Sequence, residues 1–193
     1  RAYRSGWAPW LYYLIEIWWL REYFPRASYL GTRRPEFLWD GVFVTGMAAI
    51  WIGGLLLAAW ATGQSPWLLL ACGFLVPFLL WNALIGFVVY VHHTHTAVQW
   101  HDDKTEWAKA APFVSTTVHL TFPFGFGKVL HNIMEHTAHH VDMSIPLYRL
   151  PGAQQVLEEA LPGRIIAEQF SWRWYFDTAR RCKLYDFKQR CWT

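Results

Sequence analysis

From Gly41 to His101 the sequence contains no aspartate, glutamate, lysine or arginine. A water-facing surface is hard to build over so long an uncharged run, whereas a lipid-facing one is easy. Charge is scarce throughout, at 16% of residues against roughly 25% in soluble domains. The net charge of +3 is too small to imply a nucleic-acid partner, and the basic residues form no phosphate-binding stripe. Cysteine is nearly absent too. Cys72, Cys182 and Cys191 have neither metal-type CxxC spacing nor a secreted disulfide pattern, so they read as reduced and structural. No internal repeat, low-complexity tract or strand-like alternation occurs, which leaves an all-α architecture. Neither an initiator Met nor a signal peptide stands at Arg1, so a further N-terminal portion is expected before it.

What the chain has in abundance is aromatic and apolar side chains. Aromatics reach 19%, with fourteen tryptophans. Trp39 or Gly41 to Ala61 is long enough to cross a hydrocarbon core of about 30 Å, and Trp67 to Tyr90 is a second such stretch. Thr62-Gly-Gln-Ser-Pro66 between them is a short turn, so the two spans form an antiparallel hairpin. Pro77 and Gly86 in the second span predict a kink or a close helix contact, which membrane helices tolerate. Arg21, Arg26, Arg33 and Arg34 precede the hairpin, Lys104 and Lys109 follow it, and its turn carries no cation. The positive-inside rule then puts both ends in the cytoplasm, in a setting such as a bacterial inner membrane.

Three regions follow from this patterning: a basic, aromatic lead-in over 1–38, a transmembrane hairpin over 39–91, and a cytoplasmic histidine-rich cap and tail over 92–193. In the lead-in, Trp10 to Tyr23 reads as a helix at the membrane–water boundary, where amphipathic rings are favoured. In the cap, Asp102 to Ala111 and Gln154 to Leu161 read as short helices, and Ile165 to Leu184 as a final amphipathic one. Phe122-Pro-Phe-Gly-Phe-Gly127 reads as a loop leading directly into a histidine helix that Pro146 and Pro151 end. Arg173, Arg180, Arg181 and Lys183 lie on the final helix, either against an anionic leaflet or as a solvated face.

All nine histidines fall between His92 and His140. His136, His139 and His140 share one face of a helix, since residues three and four apart are neighbours there. Converging imidazoles suit iron, zinc, copper or nickel. A solvated polar face is the plainer alternative, but three histidines in five residues speak against it. His92-His93-Thr-His95, where the second span leaves the lipid, is a second cluster and is expected to join the same site.

Tyr90-Val91-His92-His93 ahead of Trp100, followed by His136-Thr-Ala-His139-His140 and Ile145-Pro146-Leu-Tyr148-Arg-Leu150, resembles the integral-membrane fatty acid desaturases. The likeness is closest to the acyl-lipid type, whose last histidine box, HxxHH, precedes an IPxYxL segment. The resemblance implies a non-haem di-iron site, two irons in the complete centre, that uses O2 to remove hydrogen from a lipid acyl chain. It carries over metal-ligand roles to His93, His136, His139 and His140, with Asn132, Glu135 and Asp142 as nearby groups able to orient their outer nitrogens. His92, His95, His101, His119 and His131 match no ligand position and read as structural or supporting.

The family's first two histidine boxes have no counterpart, because no histidine precedes His92. Two irons need about twice the nitrogens that four histidines offer. A missing N-terminal portion or a partner chain is therefore expected to supply the others, and these residues alone are expected to hold at most one metal. The implied partners are a membrane acyl chain, entering near Ala83 and Gly86, and an electron donor such as ferredoxin or a cytochrome, docking on the basic final helix. Hydroxylases and ketolases use similar boxes. Outside that chemistry stand a non-catalytic membrane subunit or inactive remnant of a desaturase-like protein in a larger complex, and a bis-histidine haem protein.

Overall fold

The computed structural model describes residues 14–15, 35–110 and 112–193. The helix expected over Trp10 to Tyr23 therefore lies, but for Leu14 and Ile15, outside the described residues. The described residues divide into two compact units, one ending at residue 86 and one over 87–193.

α1 (Pro35–Thr62) and the stretch α2 (Pro66–Leu70), a π turn (Ala71–Leu75) and α3 (Val76–His93) are the two long apolar helical segments, which make up most of the described part of the first unit, except that α3 continues past residue 86 into the second. Trp39–Thr62 and Pro66–His93 are each long and apolar enough to cross a membrane. Their large side chains face outward, with Ile50 70% and Trp60 82% exposed. Gly63, at φ +68°, ends α1 in the left-handed conformation a helix terminus favours. Ser65 then caps α2, accepting from the Leu68 amide, and Pro66 starts it where no amide proton is needed.

Pro77 acts here through a hydrogen bond it cannot make. An α-helical amide at this position would donate to the carbonyl four residues back, Gly73, and proline has none to give. The freed Gly73 oxygen accepts instead from Trp51 Nε1, 2.9 Å away on α1. Gly73 also admits Leu55 closely: a Cβ there would sit 2.7 Å from Leu55 Cδ2. The irregularity expected from Pro77 is thus a π turn at Ala71–Leu75 that aims a carbonyl at the neighbouring helix.

The second unit is mostly helical with two small two-stranded sheets, so the all-α expectation holds for most of the fold and is corrected only at these ladders. After α3 come α4 (Lys104–Lys109), α5 (Pro112–Ser115) and β1 (Val118–Thr121). A 3-10 turn (Pro123–Gly125), α6 (Phe126–Val129) and a left-handed turn at His131 and Asn132 then lead into α7 (His136–Val141). The Phe122–Gly127 loop therefore reaches the histidine helix through an intervening short helix. Next are a 3-10 turn (Leu147–Arg149), α8 (Leu150–Ala160), β2 (Ile166–Gln169), α9 (Trp172–Arg181), β3 (Tyr185–Asp186) and β4 (Cys191–Trp192).

β1 pairs parallel with β2, Val118 opposite Ile166 and Thr121 opposite Gln169, while β3 and β4 pair antiparallel. The final helix expected from Ile165 accordingly begins only at Trp172, because residues 166–169 are spent on the ladder; Ser171 caps it at the Trp174 amide. Pro151 opens α8 rather than closing the helix before it, at a position where proline is favoured. The core collects Val91 from the end of α3, Val118 and Leu120 from β1, Met134, Leu150, and Tyr175 from α9, all at most 2% exposed.

Asp103 Oδ1 accepts from the Thr105 and Glu106 amides, 2.8 Å each, and so caps α4. Asp103→Ala is expected to cost about 1 kcal/mol locally. Faster amide exchange at Thr105 and Glu106, with Cys182 unaffected, would register it.

Candidate metal centre

α3 delivers His93 and α7 delivers His136 and His140, spaced i, i+4 on one face. Their ligating nitrogens all lie within 4.8 Å of one another. His136 Nε2 is central, 3.1 Å from His93 Nε2 and 3.1 Å from His140 Nε2. These three histidines are the only group of three or more potential metal-ligating side chains found among the described residues.

The outer nitrogens explain the orientation of two rings. His93 Nδ1 lies 3.1 Å from the Thr116 carbonyl and His136 Nδ1 3.2 Å from that of Ile133. A carbonyl only accepts, so both Nδ1 atoms carry the proton and both Nε2 atoms present a bare lone pair. Two lone pairs at 3.1 Å repel, and a cation between them turns that repulsion into coordination. Backbone carbonyls holding the outer N–H are a common arrangement for metal-bound histidine. The three residues fit a metal ion that takes imidazole nitrogen.

Burial disfavours protonation of the group's two α7 rings. Burial pushes the His136 imidazole well below its ordinary value, and positive charge on His92, His93 or His140 would push it further. Burial, then the neighbouring His93 and His139, brings His140 down to about 4. At neutral pH both rings are therefore in the form a metal binds.

His139, expected from the sequence alongside these, lies beside the group but outside it. Its ring centroid is 5.7 Å from those of His136 and His140, and its buried Nδ1 has no partner among the described residues. The three side chains expected to orient the ligands are engaged elsewhere. Asn132 Nδ2 donates to the Leu147 carbonyl, Asp142 accepts from Ser144, and Glu135 meets His119. The carbonyls of Thr116 and Ile133 do that work, and backbone groups leave no mark in a sequence.

The other histidines divide by environment. His92 is fully buried, with Nδ1 donating to the Val118 carbonyl at 2.7 Å, and its ring stacks on His136 at 4.5 Å. His95 stacks on Trp174, and its Nε2 lies 3.5 Å from Glu168. His131 is exposed, in a left-handed turn. His101 shares with His93 and His140 a cavity of about 360 Å³ walled by Trp100, Trp107 and Phe113. A larger apolar groove of about 760 Å³ runs along Ala138, Val141, Ile145, Tyr148 and Val156. That groove uses another face of α7, so the smaller cavity is the one that reaches the ligands.

On α9, Arg180 and Arg181 are both paired with Asp177, at 2.7 and 3.6 Å. The basic character read from the sequence is thus partly neutralised within the helix.

Comparison with known proteins points consistently to one family. The family model described as fatty acid desaturase matches residues 1–172. The chain is 27% identical over 168 residues to the chloroplastic omega-6 fatty acid desaturase of Spinacia oleracea, covering 87% of this chain and 36% of that protein. It is 24% identical over 180 residues to the sn-1 oleoyl-lipid 12-desaturase of a Picosynechococcus species, covering 89% and 49%. It is also 26% identical over 130 residues to the sn-1 acyl-lipid omega-3 desaturase (ferredoxin) of a Nostoc species, covering 66% and 34%. The chain thus spans about a third to a half of the length of these relatives. With a match over most of its length and an imidazole cluster at the HxxHH motif, the chain belongs to the fatty acid desaturase family.

Proposed function

We propose that the chain is part of a membrane-embedded di-iron oxidoreductase that desaturates lipid acyl chains with O2 and an external electron donor. The observation that carries the reading is the convergence of His93, His136 and His140 with two of their outer nitrogens committed to carbonyls. His93, His136 and His140 hold one iron, and His139, with its unpartnered buried Nδ1, is the ligand left for the second. When bound, iron supplies the O2 activation that takes two hydrogens from an acyl chain, the donor's two electrons completing the reduction of O2 to water.

The protein's own residues supply place and protection. The apolar helices over 39–91 lie in the bilayer as a hairpin with both ends cytoplasmic, and the region from His92 onward forms the cytoplasmic cap. Trp100, Trp107 and Phe113 wall the cavity at His93 and His140 and limit water there. Burial keeps His136 neutral and ready to bind. A ferredoxin-type carrier, as the name of the Nostoc relative indicates for that protein, is the donor, and α9 with Arg173 is its landing surface.

Mass spectrometry of lipids from cells expressing the complete protein tests the reading. Acyl chains lighter by two hydrogens are expected. A gain of one oxygen instead identifies a hydroxylase, and unchanged lipids beside an iron-loaded protein reject catalysis by this centre.

A further inference from the structure

His119 differs from the other histidines because both its ring nitrogens meet carboxylates. Nε2 lies 2.7 Å from Glu135 Oε2, and Nδ1 lies 2.5 Å from Glu158 Oε1. Carboxylate oxygens accept, so both nitrogens donate, and an imidazole donating twice has no lone pair for a metal. Glu158 Oε1 also accepts from Gln154 Nε2 at 2.9 Å, and Gln154 Oε1 accepts from the Ala138 amide at 2.9 Å. Ala138 is the third residue of α7, and amides in a helix's first turn have no partner within the helix. Glu135, in the position that normally caps the helix, makes no such bond with its own side chain. Its carboxylate is held by His119, and Gln154, 2% exposed, caps α7 from α8 in its place.

Glu135, His119, Glu158, Gln154 and Ala138 therefore form one chain of contacts from β1 and α8 to the start of α7. His136 follows Glu135 directly, and His140 is one turn further. We infer that His119 is a positioning residue, a cationic clamp between Glu135 and Glu158 that fixes the helix carrying His136 and His140, and not a metal ligand. This rests on the reading of His93, His136 and His140 as a metal centre. Burial alone would lower the His119 imidazole, but hydrogen bonds and charge from Glu135 and Glu158 outweigh it and leave the ring raised. Across the ladder its partner is Ala167, which adds no charge.

The test is an anaerobic Fe²⁺ titration of the full protein in lipid nanodiscs against a competing chelator, with X-ray absorption counting nitrogen ligands at saturation. His119→Gln is expected to weaken Fe²⁺ binding roughly 10- to 100-fold, the usual range for losing an outer-shell partner. The saturating stoichiometry and the nitrogen count stay at the wild-type values. Adding Glu135→Gln and Glu158→Gln removes the carboxylates left without a cation and restores most of the affinity.

A nitrogen lost at saturation, with no recovery in the triple variant, makes His119 a ligand and overturns the inference. Unchanged affinity in His119→Gln overturns it as well. Should that variant fail to fold, the triple variant decides alone through its nitrogen count, equal to wild type for a clamp and one lower for a ligand. A wild-type protein that takes up no Fe²⁺ overturns the metal-centre reading itself, and that result comes before any variant is compared.

Discussion

His136→Ala is expected to lose metal altogether, with affinity falling by more than the roughly 100-fold upper range seen for outer-shell partners. His136 Nε2 is the atom from which both other candidate nitrogens are 3.1 Å away. Removing it leaves His93 and His140 as two ligands without a third between them. The loss is not one of general folding alone, and a control separates the two. His131 is equally a histidine of this region but is exposed and turned into a loop. His131→Ala is therefore expected to keep wild-type metal content. Iron analysis of the two purified variants, each checked for retained helicity, gives the comparison. Full iron in His136→Ala would reject the centre as drawn.

The second large effect concerns lipid. Ile50 lies midway along the apolar part of α1 and is 70% exposed. In a lipid-facing position, Ile50→Lys exchanges a favourable residue for one that costs roughly 3 kcal/mol at the centre of a membrane helix. Insertion of the hairpin should drop accordingly, as read by carbonate extraction of membranes or by glycosylation mapping of the Gly63–Ser65 turn. In a water-facing position the same exchange would stay within about 0.5 kcal/mol and would raise solubility. The two environments thus give opposite outcomes for one substitution. Unchanged membrane integration of Ile50→Lys would remove α1 from the bilayer core.

Local signals were legible in the sequence and non-local ones were not. The uncharged run from Gly41 to His101 marks the two long apolar helices because each depends only on its own composition. His136 and His140 meet because a helix brings i and i+4 together wherever it forms. The ladder of β1 and β2 escaped notice because four-residue strands carry little periodicity, and their pairing joins Val118 to Ile166. The same holds for Pro77, whose position is plain in the sequence while the use of the freed Gly73 carbonyl depends on Trp51 of another helix. His119 is the clearest case. Its partners lie at Glu135 and Glu158, and nothing in its immediate neighbours announces them.

The fold holds one residue type in two opposite charge states. His119 is kept cationic by its carboxylates, while burial keeps His136 and His140 neutral. A raised imidazole contributes fully below its ordinary value near 6.5 and loses that contribution as pH climbs through its raised value. The lowered rings cost nothing above 6.5, and as pH falls below it the unfolded chain takes up protons that the folded rings refuse, until His140 accepts one near 4. Acid therefore loads protons onto the imidazoles of α7, and alkali slackens the grip on its first turn. Between those limits the region behaves as a proton band-pass, best assembled where the candidate ligands are empty-handed and their support is charged.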